Sequence, residues 1–305
     1  MTKRGDDGVT QESFLYQVYH DESNLLVGQH VVIFDGALGQ QTLDRWDPTP
    51  FGHYANTNDC QWGGDATNAE CNYDRVRHDL IYNGFSEKQV QAVFLKSSTS
   101  FPQCDLKGLY CAAGAMPDAY LSEIYLGDIL RYLKCCKLDD NGESTGVPRY
   151  ANLKQVFLTS RTYGGYANGT PHGCLSPEPF AYEEGIAVQR TIVAQINQSP
   201  GYPPIEYAGH LGYDVAPWVD WGPYLWTNGE LGRSDGVKWC NRQGDAFCAL
   251  DQHDVRYGDP DMGYEAYWGD FTHPTAQAEK KVADQLVQFI NKDTGSAWIR
   301  PWVVK

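Results

Sequence analysis

Near the end of the chain, an aspartate and a histidine stand three residues apart in the segment GDFTHP. Asp270 and His273 directly precede a stretch with helical apolar spacing, and Pro274 follows the histidine. In such a pair the imidazole removes a proton from a hydroxyl, while the carboxylate holds the imidazole in the required tautomer and stabilises its charged form. The pair therefore predicts hydrolysis by a nucleophile from elsewhere in the chain. A capped helix start is the structural alternative.

A glycine-containing segment far upstream has the composition needed to bind an oxyanion. VVIFDGALGQQT places Gly36 and Gly39 directly after an apolar run. A backbone N–H can point into a site only where no Cβ blocks a close approach. Gly39 is the predicted oxyanion donor, with Gly36 as its neighbour. The alternative is a glycine that a strand-to-helix turn requires.

Apolar runs rich in valine, isoleucine and phenylalanine predict the strands that would position these residues. Continuous rather than alternating runs are typical of parallel strands that are covered on both faces. Segments with helical apolar spacing lie between the runs and after them. The predicted strand runs begin at His30, Gln89, Asn152 and, most weakly, Pro203, and the predicted helices cover 120–136, 178–198 and the stretch after His273.

The alternation of strands and helices predicts an α/β sandwich with a mostly parallel sheet. We expect one domain over residues 1–305, with two long irregular inserts at about 47–72 and 215–267. Sites in open parallel sheets form at the carboxyl ends of the strands. Turn-rich or polar segments stand at these ends: DGALGQQ, KSSTSFP and SRTYGGYA. These loops, together with GDFTHP, are predicted to meet at one cleft.

These blocks, in this order, resemble the SGNH (GDSL-like) hydrolases, a family of serine esterases and acylhydrolases. The resemblance implies a flavodoxin-like, three-layer α/β/α fold. It also implies that His273 and Asp270 are the catalytic base and its partner, and that the amide of Gly39 binds the oxyanion. The family's third block supplies an asparagine as a second oxyanion donor, and Thr99 stands at the corresponding place in FLKSSTS. No metal and no organic cofactor are implied.

The nucleophile block departs from the family pattern. Asp7 occupies the position of the family's serine in the N-terminal segment RGDDGVT. An aspartate cannot be activated by an Asp-His pair as a hydroxyl can, and it brings negative charge to where an oxyanion must form. Three explanations stay open: a nucleophile block lost upstream, an inactive relative, or another serine. The candidate serines are Ser13, Ser97 and Ser98.

Aromatic residues near the predicted strand ends, and in the irregular insert at about 215–267, indicate a substrate class. Flat rings with polar side chains nearby suit the faces and hydroxyls of sugars, although an aromatic mini-core anchoring a long loop is the structural alternative. The predicted substrate-binding residues are Trp46, Arg161, Tyr163, Trp221 and Trp226. We expect an acyl ester of a carbohydrate, with acetyl as one candidate group. The second hypothesis is an inactive SGNH-like protein that binds glycans through the aromatic cleft.

Composition excludes several other classes of function. A net charge of −15 repels phosphate backbones, so nucleic acid is not an expected partner. No run of eighteen apolar residues occurs, so no membrane span is expected. Neither the cysteines nor the histidines show the spacing of a metal site, and no metal is expected.

Nine cysteines, several in loop-like surroundings, predict disulfides in an oxidising compartment. The expected location is therefore secreted or otherwise extracytoplasmic. The polar start MTKRGDDGVTQ does not have the form of a signal peptide, so either the first methionine opens a trimmed chain or the thiols are reduced inside a cell; we favour the first.

Overall fold

The fold is given by a computed structural model. It describes residues 31–37, 41–48, 71–96, 98–99, 102–109, 111–136, 145–167, 177–198, 207–229, 231–240, 274 and 276–292. Contacts between Cα atoms divide the chain into two compact units. The first, here called the sheet unit, comprises Gln41–Arg161 and Pro179–Trp221. The second, here called the helix unit, comprises Met1–Gln40, Thr162–Glu178 and Gly222–Lys305. The single domain expected from the sequence stays a prediction.

Three short parallel strands lie in the described part of the sheet unit. They are β1 (Ala92–Leu95), β2 (Gln155–Leu158) and β3 (Trp218–Trp221), and β2 lies between the other two. Ala92 pairs with Gln155, which pairs with Trp218 on its other side. The side chains of Val156, Phe157 and Leu158 have no exposed surface, as expected for a central strand with apolar residues on both faces. A parallel sheet with helices is the α/β arrangement that the sequence predicts.

Five α-helices are found in the described part of the chain. The sheet unit contains α1 (Leu43–Trp46), α2 (Cys71–Tyr82), α3 (Asp118–Lys134) and α4 (Phe180–Asn197), together with a 3-10 turn at Glu87–Gln89. The helix unit contains α5 (Ala276–Lys292). The helices predicted over 120–136, over 178–198 and after His273 are confirmed as α3, α4 and α5.

The core of the sheet unit forms where α3 and α4 pack beside the strands. Leu126, Ile129, Leu130 and Leu133 lie on one face of α3 and are at most 3% exposed. Apolar residues of α4, β2 and β3 join them in the same cluster. Fully burying a side chain of this size contributes about 1.5–3 kcal/mol, so this cluster stabilises the unit substantially. Besides leucine and isoleucine of α3, the cluster includes Leu153, Val156, Leu158, Val188, Ile192, Leu211 and Val219.

Polar contacts fix the segment that leads into α3. The carboxylate of Asp118, in the first turn, accepts hydrogen bonds from the backbone N–H groups of Gln103 and Cys104 at 2.7 and 2.5 Å. Cys104 forms a disulfide with Cys111, seven residues along the chain. The adjacent Cys135 and Cys136 at the end of α3 are also paired. The part of the segment from Gln103 to Cys111 is thus tied to the first turn of α3.

One side chain of α4 binds the outer edge of β3. The Gln195 amide nitrogen donates to the carbonyls of Leu211 at 3.0 Å and Pro217 at 2.7 Å. Its amide oxygen accepts from the backbone N–H of Val219 at 2.8 Å. Trp218 instead donates its N–H toward β2, to the carbonyl of Lys154. Gln195 therefore satisfies backbone groups of β3 that face away from β2.

Two of the four predicted strands differ from the structure. Residues 31–37, in the run from His30, form no strand, and Val32 is exposed. Residues 207–212, in the run from Pro203, also form none, because Gly209 has a φ of 68°, which interrupts an extended backbone. β3 lies instead within 215–267, which the sequence predicts as an irregular insert. Its pairing with β2 and Gln195 is a long-range contact that local pattern does not reveal.

The helix unit has a smaller core of its own. Leu225, Val237 and Trp239 pack with Ala278 and Val282 of α5. Of the apolar stripe predicted for the last helix, Val282 and Ile290 are buried, and Leu286 and Phe289 are partly buried. None of the described helices is long and apolar enough to cross a membrane.

Candidate functional site

The carboxyl ends of β1 and β2 bring several polar residues together. The strands end on the same rung, where Leu95 pairs with Leu158. The residues that follow them in sequence therefore start from the same edge of the sheet. We call the group formed there, with two residues from α3 and α4, the edge cluster: Lys96, Ser98, Thr99, Ser122, Arg161 and Glu184.

Glu184 of α4 is the central acceptor of the edge cluster. Its Oε1 accepts the backbone N–H of Thr99 at 3.0 Å and the Thr99 hydroxyl at 3.2 Å. The hydroxyl of Ser122, on α3, donates to the same oxygen at 3.1 Å. All three hydrogen bonds reach one carboxyl oxygen. Glu184 therefore links the loop after β1 to both helices.

Burial dominates the electrostatics of Glu184. Its side chain is 5% exposed, and loss of solvation raises the pKa of the carboxyl to about 7. The hydrogen bonds from Thr99 and Ser122 and the positive charge of Arg161 lower the pKa, but they offset only part of the desolvation. The carboxyl thus changes charge near neutral pH, a property that enzymes use in proton transfer and in switching.

Two cationic residues lie at the same edge of the sheet. Arg161 follows β2 and donates a long hydrogen bond of 3.4 Å from Nη1 to the hydroxyl oxygen of Ser98. Lys96 follows β1 directly, and its pKa is lowered to about 8 by desolvation and by the charge of Arg161. A lysine with this pKa is partly neutral in weakly alkaline solution. Both side chains carry N–H donors, as groups that bind oxygen atoms do.

The structure brings together two residues that the sequence proposes for the site. Thr99, the proposed oxyanion donor, and Arg161, the proposed substrate-binding residue, both belong to the edge cluster. Ser98, one of the candidate serines, precedes Thr99 in the chain and accepts the hydrogen bond from Arg161. Its own carbonyl accepts the N–H of Leu43 at 2.9 Å, which fixes the loop against α1. The N–H and the hydroxyl of Thr99 both point to Glu184.

The proposed aromatic residues divide between the two units. Trp46 and Trp221 lie in the sheet unit, partly buried against its core. The ring of Trp46 packs edge-on to that of Tyr73 at 5.0 Å. Trp221 pairs with Leu158 on the last rung of the sheet, so it stands at the edge where the cluster forms.

The other two aromatic residues lie in the helix unit. The rings of Tyr163 and Trp226 are 6.3 Å apart in a T-shaped arrangement. The indole N–H of Trp226 donates to Glu178 Oε1 at 2.8 Å, and the same oxygen accepts the N–H of Gly164 at 3.0 Å. These contacts build a packed aromatic group inside this unit.

Several of the proposed residues lie outside the described part of the chain. They are the catalytic residues His273 and Asp270, the altered nucleophile position Asp7, the oxyanion donor Gly39, and the candidate serines Ser13 and Ser97. Their roles stay predictions. Within the described ranges, no group of three or more histidine, cysteine, aspartate or glutamate side chains is arranged to hold a metal ion.

Three members of the edge cluster were not proposed from the sequence: Lys96, Ser122 and Glu184. The position of Glu184 in the apolar stripe of α4 is visible in the sequence. It stands four residues after Phe180 and four before Val188, both of which are buried on α4. A charged residue within a helix's apolar stripe is rarely fully buried unless it has partners or a function.

The chain was also compared with known proteins. No family model, no curated protein and no solved structure matches it. The residues and geometry of this chain alone therefore carry the functional argument.

Proposed function

We propose that the protein is an SGNH-like ester hydrolase that removes an acyl group, with acetyl as a candidate, from a carbohydrate. The observation that carries the proposal is the position of Thr99 and Arg161. Both were selected from the sequence as site residues, and both lie at the carboxyl edge of a parallel sheet, where α/β proteins bind their ligands. The proposal assigns the reaction to that edge.

The proposed chemistry is acyl transfer to a serine followed by hydrolysis. His273 takes the serine proton and returns it to the leaving alcohol, and Asp270 orients the imidazole. Gly39 and Thr99 stabilise the tetrahedral oxyanion, and each such donor contributes about 3 kcal/mol to lowering the barrier. Ser98 is a nucleophile candidate within the edge cluster, beside Arg161.

The proposal also includes a three-layer fold for the chain and an extracytoplasmic location for the protein. A three-layer α/β/α sandwich of the flavodoxin-like type would carry this site in the way that the resemblance implies. The Cys104–Cys111 disulfide supports an oxidising, extracytoplasmic location, because cytosolic proteins rarely hold such bonds. The aromatic residue Trp221 at the sheet edge suits a sugar face.

Hydrolysis of p-nitrophenyl acetate and of an acetylated oligosaccharide tests the proposal. We expect turnover by the wild-type chain, and a loss of 10³-fold or more, as an order of magnitude, in His273→Ala. His78→Ala is the matched control, because His78 is 79% exposed in its side chain on the sheet unit. It should retain full activity.

A fluorophosphonate probe with peptide mapping then identifies the nucleophile. Labelling of Ser98, Ser97 or Ser13 that requires His273 would support the mechanism. Absence of turnover and of labelling, together with oligosaccharide binding in calorimetry, would refute the hydrolase and favour the glycan-binding alternative.

A further inference from the structure

The three hydrogen bonds on Glu184 Oε1 have a consequence for Thr99. A threonine hydroxyl carries a single hydrogen, and a backbone amide carries another. Both hydrogens of Thr99 are directed to Glu184, at 3.2 and 3.0 Å. A hydrogen that is donated to a carboxylate cannot at the same time stabilise an oxyanion at full strength. The proposed role of Thr99 therefore depends on the state of Glu184.

We propose that Glu184 is a positioning residue that gates Thr99: the ionised carboxyl retains the Thr99 hydroxyl, and the neutral carboxyl releases it to the oxyanion. This inference rests on the proposed ester hydrolysis. It adds a regulatory group that does not touch the substrate. Ser122 completes the gate from α3, because it donates to the same oxygen and fixes the carboxyl in place.

The strength of hydrogen bonds explains how the gate works. Bonds to an ionised acceptor are roughly twice as strong as those between neutral groups. Among the described residues, all donors to Glu184 reach Oε1, so a proton taken up at Oε2 leaves Oε1 as a neutral carbonyl acceptor. The Thr99 hydroxyl can then turn to a developing negative charge at lower cost. When Glu184 is ionised, the Thr99 hydroxyl instead stays bonded to the carboxylate.

Burial and the charged groups around Glu184 set the pH at which its carboxyl ionises, and this pH is near neutral. Arg161, after β2, favours the ionised form, while desolvation opposes it, and the resulting pKa is about 7. Desolvation and the positive charge of Arg161 lower the pKa of Lys96, which follows β1. Neighbouring carboxylates already have partners: Glu183 accepts the N–H of Leu106, and Glu123, next to Ser122, binds Arg190 at 2.6 Å.

The pH dependence of kcat/KM for p-nitrophenyl acetate tests the gate. We expect ionisation of Glu184 above about pH 7 to lower wild-type kcat/KM by up to about 10²-fold, the effect of losing one oxyanion donor, and to oppose the rise that deprotonation of His273 produces. Glu184→Gln mimics the neutral acid, so it should retain activity up to pH 9. Glu183→Gln is the matched control from the adjacent position and should keep the wild-type decline. Thr99→Val should reduce kcat below pH 7 and flatten the profile. A decline that persists unchanged in Glu184→Gln would overturn the gate.

Carbon-13 NMR of glutamate carboxyls provides a readout that does not need turnover. The Glu184 signal, assigned by its loss in Glu184→Gln, should titrate near pH 7. Thr99→Val and Ser122→Ala should each raise its midpoint, because each removes a donor to the ionised form. Ser234→Ala, an exposed serine in the helix unit, should not. A midpoint at an ordinary glutamate value would overturn the gate, whether or not the protein hydrolyses esters.

The two readouts separate the gate from the function on which it rests. Turnover that depends on His273, with an unshifted Glu184 titration, refutes the gate alone. A Glu184 midpoint near pH 7 that responds to Thr99→Val, without turnover of any ester, refutes the proposed hydrolase and supports the Glu184–Thr99 link.

Discussion

Arg149 Nε lies 2.6 Å from Glu87 Oε1 inside the sheet unit, and the arginine side chain is only 1% exposed. The same guanidinium donates to Asp74 on α2 at 2.9 Å and to the hydroxyl of Tyr132 on α3 at 3.3 Å. It also lies 5.4 Å from the centre of the Tyr73 ring. One buried cation thus connects α2, α3 and the turn before β1, on the side of the strands where they begin.

We expect replacement of this arginine to destabilise the protein strongly. Arg149→Met removes the partner of two carboxylates and leaves their charge inside the unit, which costs about 3–5 kcal/mol. Arg77→Met is the control, since Arg77 is 48% exposed and lies 3.5 Å from the same Asp74. That change should cost at most about 1 kcal/mol. Urea denaturation measures both, and equal losses would contradict the assignment of Arg149 as the buried connector.

The raised pKa of Glu184 predicts that stability depends on pH. The folded-state pKa of about 7 exceeds the unfolded value of 4.5, so the folded state binds the proton more tightly. This stabilisation is complete below about pH 4.5 and is lost as the pH rises toward 7. A shift of this size corresponds to about 3 kcal/mol. The free energy of unfolding, measured between pH 4.5 and 8, should therefore fall with pH in the wild type and fall less in Glu184→Gln. Parallel curves for the two proteins would contradict the burial of an ionisable Glu184.

A close contact between α3 and the backbone of Ala208 leaves no room for a side chain at Gly127. A Cβ atom at this position would meet the carbonyl carbon of Ala208 at 2.9 Å, and its oxygen more closely still. Alanine favours helices over glycine by about 1 kcal/mol, yet this overlap should cost about 1–3 kcal/mol and reverse the preference. We expect Gly127→Ala to lower the melting temperature. Gly232→Ala, where the nearest atoms are 3.7 Å away, should leave it nearly unchanged. Stabilisation by Gly127→Ala would show that α3 does not pack against Ala208.

The Cys104–Cys111 disulfide should contribute measurably to stability. It closes a loop with a sequence separation of seven, for which chain entropy gives about 2–3 kcal/mol. Cys111→Ser should lower the midpoint of denaturation, and reductant should then have a smaller further effect than it has on the wild type. Mass spectrometry of the non-reduced protein should find the two cysteines in one linked peptide pair. Free thiols at both positions after oxidative refolding would refute the bond.

The sequence predicts α3, α4 and α5, whose burial pattern is local, but not α1 or α2. On α3, positions 126, 129, 130 and 133 repeat at helical spacing, and all are buried. β1 and β2 were likewise predictable, since four consecutive apolar or weakly polar residues suit a covered strand. β3 was not, because its sequence WVDW mixes rings with a carboxylate and its pairing depends on residues far away in the chain.

The edge cluster was predictable only in part, for similar reasons. Thr99 and Arg161 follow recognisable strands, so their meeting at one edge could be anticipated. Their connection through Glu184 required knowledge that α4 packs with α3 beside that edge. Ser122 gives no local signal at all, because a serine within a helix is ordinary until its neighbour is known.

Gln195 has a consequence for how this protein behaves at high concentration. Its amide meets the Pro217 carbonyl and the Val219 N–H as a peptide group of an adjoining strand would. At the edge of a sheet, backbone groups that already have hydrogen-bond partners cannot pair with a strand of another chain. Intermolecular β-pairing and fibril growth are therefore disfavoured at Pro217 and Val219. A single side chain on a helix therefore acts as a gatekeeper against aggregation.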